Sequence, residues 1–167
     1  FGIQTMFGGL AIHLLLGSIF EGWKALGGTG EVVFLGWPDG ELDSTLRQRW
    51  QVAYWIRKLR PAVVLGHDPW KRYRLHPDHR HAGLLAVEAI VSARDPLFFP
   101  EQELEHHRPD ALLLWEADEP DHVEDVTGFV DAKLAALRAH TSQFRSTMGV
   151  EPDDPRVGEI YVIGIEE

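Results

Sequence analysis

Short apolar runs alternate along this chain with longer segments that repeat their apolar positions at helical spacing. Four runs are predicted as strands: residues 31–36, 62–67, 111–117 and 159–165. The first two are continuously apolar and end in turn-forming residues, which is typical of strands buried on both faces of a sheet. We therefore expect their side chains to lie inside the protein.

The segments between these runs have the spacing and the end signals of helices. Three helices are predicted: residues 46–60, 77–94 and about 127–143. The side chains of residues 43–45 can cap the first helix, and Pro61 stops it. Pro77 suits the first turn of the second helix. The basic residues between positions 47 and 60 are interpreted as the solvated face of an amphipathic helix.

The order of strand, helix, strand and helix predicts a parallel sheet. A chain of 167 residues fits one domain and can bury a core of its own. We therefore predict an α/β fold with a Rossmann-like, mainly parallel sheet flanked by helices in a single domain. Ligands bind such sheets at the carboxyl ends of the strands, where loops meet helix N-termini.

Charge and composition exclude several partners. The net charge is −10, and no basic stripe is present that would bind a nucleic-acid backbone. Residues 1–20 are apolar but contain four glycines, and they do not begin with basic residues. We therefore expect neither a membrane span nor a signal peptide, and we expect the protein to be cytoplasmic. The chain has no cysteine, so any metal must be held by histidine and carboxylate side chains.

The segment HPDHRH, residues 76–81, places three histidines and one aspartate where a strand gives way to a helix. In a first helical turn, His76 and His79 would lie on one face, with Asp78 between them free to orient an imidazole. A polar helix start with surface histidines is the alternative interpretation. His67 and Asp68 also follow a strand, where a site role and an ordinary turn before proline are both open.

Four segments of the chain resemble the LmbE-like, or PIG-L, family of zinc-dependent N-acetylglucosaminyl deacetylases: residues 32–42, 59–83, 119–128 and 133–144. The resemblance implies a Zn²⁺ hydrolase acting on a small N-acetylglucosamine conjugate. It implies His79 as a zinc ligand and His76 as the group that stabilises the oxyanion and protonates the leaving amine. It also implies Asp78 as the orienting partner of His76, and Tyr73 as a substrate contact.

The chain departs from that family at its beginning, since it has no A-H-P-D-D-E motif. The motif would supply two further zinc ligands and the general base, so we expect the first strand of the fold to be missing from this chain. A degenerate, non-catalytic homologue that binds sugar or has a structural role is the alternative function. The acidic, aromatic segment 95–110 is interpreted as a lid or as the contact of a homo-oligomer.

Overall fold

The structure is a computed structural model that describes residues 6–7, 21–141 and 151. The chain divides into two compact units, which are described separately. The first contains residues 31–123 and the N-terminal strand, and the second contains residues 11–30 and 124–167. The number of domains stays a prediction, and the predicted strand at residues 159–165 lies outside the described residues.

The described strands form two parallel pairs in the first unit. Strand β1, Met6–Phe7, pairs with β2, Val33–Phe34. Strand β3, Val63–His67, pairs with β4, Ala111–Trp115, so that the last residues of both strands are register partners. The predicted parallel pairing of an α/β fold is confirmed, although β2 is shorter than the apolar run that predicted it.

The predicted burial of the strands on both faces is wrong for the described residues. Val63 is 43% exposed, Leu65 is 36% exposed, and Phe34 on β2 is 42% exposed. The reason is the limited pairing, because β3 has β4 as its only strand neighbour in the part of the chain that the structure describes. A parallel strand reaches full burial only when neighbours and helices cover it on all sides.

Helix α1, Leu46–Leu59, begins and ends as the sequence predicts. Thr45 is its N-cap: the threonine Oγ1 accepts a hydrogen bond from the Gln48 backbone N–H at 3.3 Å, and the Gln48 side chain accepts from the Thr45 N–H at 3.4 Å. This reciprocal pair is a capping box. At the other end Arg60 adopts a left-handed conformation just before Pro61.

Loss of this cap should be measurable. We expect Thr45→Ala to lower the free energy of unfolding by about 1 kcal/mol, because the first turn of α1 loses an acceptor for its orphan N–H groups. Urea unfolding followed by circular dichroism measures the change. Thr45→Ser keeps the hydroxyl and serves as the control, and equal stabilities of the alanine and serine variants would contradict the assignment of this cap.

Helix α2, Pro77–Arg94, matches the predicted bounds and packs against α1. Apolar side chains from both helices and the preceding loop form the core of the first unit: Leu42, Val52, Ala53, Ile56, Leu85, Ala89 and Ala93. The described residues contain no helix long and apolar enough to cross a membrane.

Arg57 lies inside this core, so the predicted solvated basic face is wrong at this position. Only 4% of Arg57 is exposed. Its guanidinium donates to backbone carbonyls at the end of α2 and in the following loop, and to the Gln102 side chain. Burial lowers the pKa of Arg57 from its ordinary value, while the charges of Glu101 and Asp95 act in the opposite direction. The arginine therefore ties α1 to the C-terminal end of α2.

The segment 95–110 is held against the two helices. It contains a 3₁₀ turn, Pro100–Gln102, whose Gln102 side chain donates to the Trp50 carbonyl at 2.8 Å. Farther on, the His107 backbone N–H donates to the Ala93 carbonyl at 2.9 Å. These anchors suit a structural segment better than a lid that opens. In the second unit, helix α3, Val130–Ala139, is shorter than the helix predicted there.

Two glycines let α2 lie directly on β3. A Cβ at Gly83 would stand 2.3 Å from the His67 carbonyl oxygen, and one at Gly66 would stand 3.2 Å from the Ala86 Cβ. Only glycine permits the first of these approaches without a shift of the backbone. The contact brings the first turns of α2 against the carboxyl end of β3.

Candidate active site

The candidate site lies where β3 and β4 end and α2 begins. His67 is the last residue of β3, and its register partner Trp115 is the last residue of β4. His76 is the N-cap of α2 but makes no side-chain capping hydrogen bond. Its imidazole is therefore not used to cap the start of the helix, and both His76 and His79 are exposed residues. The predicted junction of strand end and helix start is thus present.

Three imidazole rings are stacked at this junction. The rings of His67 and His79 are 4.4 Å apart between centroids and nearly parallel, at 7°. The rings of His76 and His79 are 4.7 Å apart, at 21°. All three line a cavity of about 260 Å³, whose other walls are mainly apolar side chains of α1, α2 and β3. His76 and His79 therefore share one cavity, as their spacing in the sequence predicts.

His67 is partly buried among polar groups, and burial favours its neutral form. Its Nδ1 accepts a hydrogen bond from the Trp115 indole at 2.8 Å, and the Arg74 guanidinium lies 3.4 Å from the same atom. Burial, with the neighbouring His79 and Arg74 as smaller causes, lowers the pKa of His67 from 6.5 to about 4. At neutral pH the ring is therefore uncharged.

His79 is also biased toward its neutral form. Although the residue is exposed, partial desolvation of its ring is the largest cause that lowers its pKa, and the neighbouring His76 and Arg74 act in the same direction. Glu116, just beyond β4, is hydrogen-bonded to the Arg74 guanidinium, and this bond lowers the pKa of Glu116. The Arg74 side chain is buried, and with Glu116 it forms a charged pair beside His67 and His79.

Asp78 is buried and anchors a loop. Its two carboxylate oxygens accept backbone hydrogen bonds from Gly40 at 2.6 Å and from Leu42 at 3.3 Å. Asp78 lines the same cavity as His76, but its hydrogen bonds in the described residues go to this loop rather than to the imidazole. Its expected part in orienting His76 stays a prediction, and the contact that the structure gives it positions the loop.

Tyr73 does not line the histidine cavity. Its side chain is 81% exposed, and its backbone has the left-handed φ of 60°. It lines a second hollow of about 570 Å³ together with Asp68, Trp70 and Asp118. Asp68 makes a turn there, since its carboxylate accepts from the Trp70 N–H at 2.9 Å. The substrate contact implied for Tyr73 stays a prediction.

The structure adds site residues that the sequence analysis did not select: Arg74, Trp115 and Glu116. The position of Trp115 and Glu116 at a strand end was the available signal, because carboxyl ends of parallel strands meet at one edge. For His67, which left two interpretations open, the geometry favours the site, whereas Asp68 forms the turn.

The described residues do not form a complete zinc site. Structural and catalytic zinc ions take at least three protein ligands. No group of three histidine, aspartate or glutamate side chains in the described part of the chain is arranged to hold a metal ion. His79 fits as one ligand, because its pKa favours the neutral ring that binds metals. Further ligands would have to come from outside the residues described.

These features define a class of protein: an α/β protein with parallel strands whose strand ends carry a histidine-lined cavity. Residues 19–90 match the family described as PIG-L, GlcNAc-PI de-N-acetylase. This segment is therefore similar to the PIG-L (LmbE-like) family, and the resemblance found in the sequence is confirmed. The matched segment includes β3 and the first turns of α2, and therefore all three stacked histidines.

Relatives of known activity agree with this family. Diacetylchitobiose deacetylase of Thermococcus kodakarensis is 38% identical over 120 residues, which are 70% of this chain and 45% of the relative. A 1D-myo-inositol 2-acetamido-2-deoxy-alpha-D-glucopyranoside deacetylase of Mycolicibacterium vanbaalenii is 29% identical, covering 78% of this chain and 55% of the relative. The chain thus spans about half the length of these curated relatives. The relatives are deacetylases.

A solved structure supports the fold. The N,N'-diacetylchitobiose deacetylase of Pyrococcus horikoshii, complexed with its inhibitor MPG, superposes with a TM-score of 0.73 at 27% identity. The match covers 87% of this chain and 54% of that chain. The predicted α/β fold class, with parallel strands flanked by helices, is therefore confirmed.

Proposed function

We propose that this chain is part of a zinc-dependent hydrolase that removes the acetyl group from a small molecule containing N-acetylglucosamine. The products are acetate and a free amine. The observation that carries the proposal is the stack of His76 and His79, which line one cavity at the strand ends inside the segment that matches the PIG-L family. The deacetylase relatives support the reaction class.

Each histidine has a role that its surroundings support. Among the described residues His79 is the metal ligand, because its lowered pKa favours the neutral ring that offers a lone pair. His76 is exposed at the start of α2 and unused in capping. Its imidazolium form can donate to the developing oxyanion and pass a proton to the leaving nitrogen as the C–N bond breaks. Asp78 fixes the loop at residues 40–42 beside the two rings. Zinc, when bound, supplies an activated water, since its coordination lowers the pKa of water to ~7.

The shape of the site suits a sugar amide. The cavity of about 260 Å³ has apolar walls for the acetyl methyl group and imidazoles for the polar atoms. Ligand pockets of this kind combine an apolar lining with a few placed polar groups. The homo-oligomer and the cytoplasmic location expected from the sequence stay predictions.

The proposal is tested by measuring acetate release and metal content together. We expect the purified protein to release acetate from N,N'-diacetylchitobiose or N-acetylglucosamine, to lose this activity with a chelator, and to regain it with added zinc. For substitutions of the cavity histidines, His106→Ala serves as the control, because His106 is exposed and does not line the cavity. Protein that carries stoichiometric zinc and still leaves every N-acetylglucosamine conjugate intact would contradict the proposal.

A degenerate homologue without catalysis is the second candidate function. It is favoured by one observation, namely that no three-ligand metal group is arranged among the described residues. Such a protein would bind N-acetylglucosamine conjugates in the same cavity without zinc and without releasing acetate. Calorimetric titration of metal-free protein with N,N'-diacetylchitobiose distinguishes this candidate from the hydrolase.

A further inference from the structure

His67 receives two hydrogen-bond donors on the same nitrogen. The Trp115 indole N–H lies 2.8 Å from Nδ1, and an Arg74 guanidinium nitrogen lies 3.4 Å from it. An indole nitrogen and a guanidinium can donate but cannot accept. The nearest carboxylate oxygen, Oε2 of Glu116, is 4.0 Å from Nδ1 and too far to accept a hydrogen bond from it. Nδ1 therefore presents its lone pair to the two donors and carries no proton. In a neutral imidazole the proton then belongs on Nε2.

The second nitrogen of His67 has no hydrogen-bond partner among residues 21–141. The ring is nevertheless not sealed from solvent, since its side chain is 19% exposed, and it lines the cavity that His76 and His79 share. A buried N–H without a partner is costly, whereas one that faces a cavity is available to a ligand. The geometry thus favours a proton on Nε2 in a ring that lines the cavity.

We propose that His67 donates a hydrogen bond from Nε2–H to an oxygen of the substrate, with its tautomer fixed by Trp115 and Arg74, and that it is not a metal ligand. This inference rests on the proposed function for the identity of the substrate. The acceptor is an acetyl carbonyl oxygen or a sugar hydroxyl oxygen, which share the same hydrogen-bond chemistry.

Two physical arguments separate this role from metal binding, which the clustering of three histidines would otherwise suggest. A metal ion needs a nitrogen lone pair, but the Nδ1 lone pair of His67 is used by Trp115 and Nε2 holds the proton. A cation at Nδ1 would also approach the guanidinium of Arg74, and like charges at such distances repel. His79, by contrast, makes no such hydrogen bond in the described residues.

The tautomer is tested directly by nitrogen-15 NMR of the histidine rings at neutral pH, without any need for activity. We expect His67 to show a protonated Nε2 and an unprotonated Nδ1. In Trp115→Phe, which removes the indole N–H and leaves Arg74 as the remaining donor, the fraction of the Nδ1–H tautomer should rise. A protonated Nδ1 in the unmodified protein would overturn the proposal.

The donor role is tested by titrating N,N'-diacetylchitobiose into the same samples and by kinetics. We expect the sugar to shift the His67 Nε2–H resonance, and an unchanged resonance at saturating sugar would overturn the proposal.

His67→Ala should lower kcat/KM by roughly two- to tenfold, the worth of one neutral hydrogen bond. His67→Gln, whose amide N–H lies near the position of Nε2, should restore most of this loss. A fall in kcat indicates the acetyl oxygen as acceptor, and a rise in KM indicates a hydroxyl.

Metal content completes the test. His67→Ala should keep the zinc content of the unmodified protein, and His106→Ala is the matched control, because it replaces an exposed histidine outside the cavity. If His67→Ala loses its zinc, the ring is a ligand and the proposal is wrong. If no substrate is hydrolysed by any variant, the proposed function fails, while the tautomer and the sugar-induced shift still decide the role of His67.

Discussion

Replacement of His76 by alanine is expected to lower kcat for acetate release by about 10²–10⁴-fold, the usual contribution of a positioned general acid. The amine leaves poorly without a proton, and His76 is the exposed imidazole nearest to His79 in the shared cavity. The side chain makes no capping hydrogen bond to α2. Its loss therefore removes chemistry without removing a contact that starts the helix.

The comparison with His79→Ala makes this prediction specific. His76→Ala should keep its zinc and its thermal midpoint while it loses turnover, whereas His79→Ala should lose zinc and turnover together. Acetate release, metal analysis and thermal unfolding of both variants provide the three readings. The acid role of His76 is contradicted if His76→Ala turns over at the rate of the unmodified protein, or if it loses zinc as His79→Ala does.

The sequence predicted those helix bounds and side-chain neighbours that depend on residues close together in the chain. The bounds of α2 followed from Pro77 in the first turn, and those of α1 from the capping side chains before Leu46 and from Pro61. The clustering of His76 and His79 followed from their spacing on one helix. These features depend on residues within one or two turns of each other, so the sequence contains all the information they require.

Contacts between distant segments could not be predicted in this way. His67 and Trp115 meet because β3 and β4 are in register, and a shift of one residue would turn either side chain to the other face. Arg74 reaches Glu116 across 42 positions. The burial of the strands was predicted wrongly because an apolar run shows only that a strand can be buried, while the neighbours that bury it lie elsewhere in the fold.

Arg57 illustrates the same limit on α1. Its position in a basic stretch suggested solvent, yet its acceptors lie 35–45 positions farther along the chain. The last carbonyls of a helix have no partner within the helix and need donors from elsewhere. Arg57 supplies these donors to Ser92 and Ala93 near the end of α2, at 2.9 and 3.1 Å. The arginine is thus a C-terminal cap contributed by a neighbouring helix.

Arg57→Met is therefore expected to lower the free energy of unfolding by about 3–5 kcal/mol, because the carbonyls of Ser92 and Phe98 and the side-chain oxygen of Gln102 lose their donor at once. Each unpaired group costs ~1–3 kcal/mol. The methionine keeps much of the apolar stem, so the loss of hydrogen bonds dominates. Urea unfolding measures the change. Arg47→Met, an exposed position on the same helix whose guanidinium lies over the Trp37 ring, should cost only about 0.5–1 kcal/mol.

Arg57→Lys separates charge from geometry. A lysine keeps one positive charge but has a compact ammonium group in place of the planar fork, so it cannot reach carbonyls on α2 and in the following loop together. We expect its stability to lie between those of the unmodified protein and Arg57→Met. If Arg57→Met and Arg47→Met prove equally stable, the buried guanidinium does not hold the end of α2. The start of α2, which carries His76 and His79, would then be positioned mainly by the packing of α2 on β3 at Gly83.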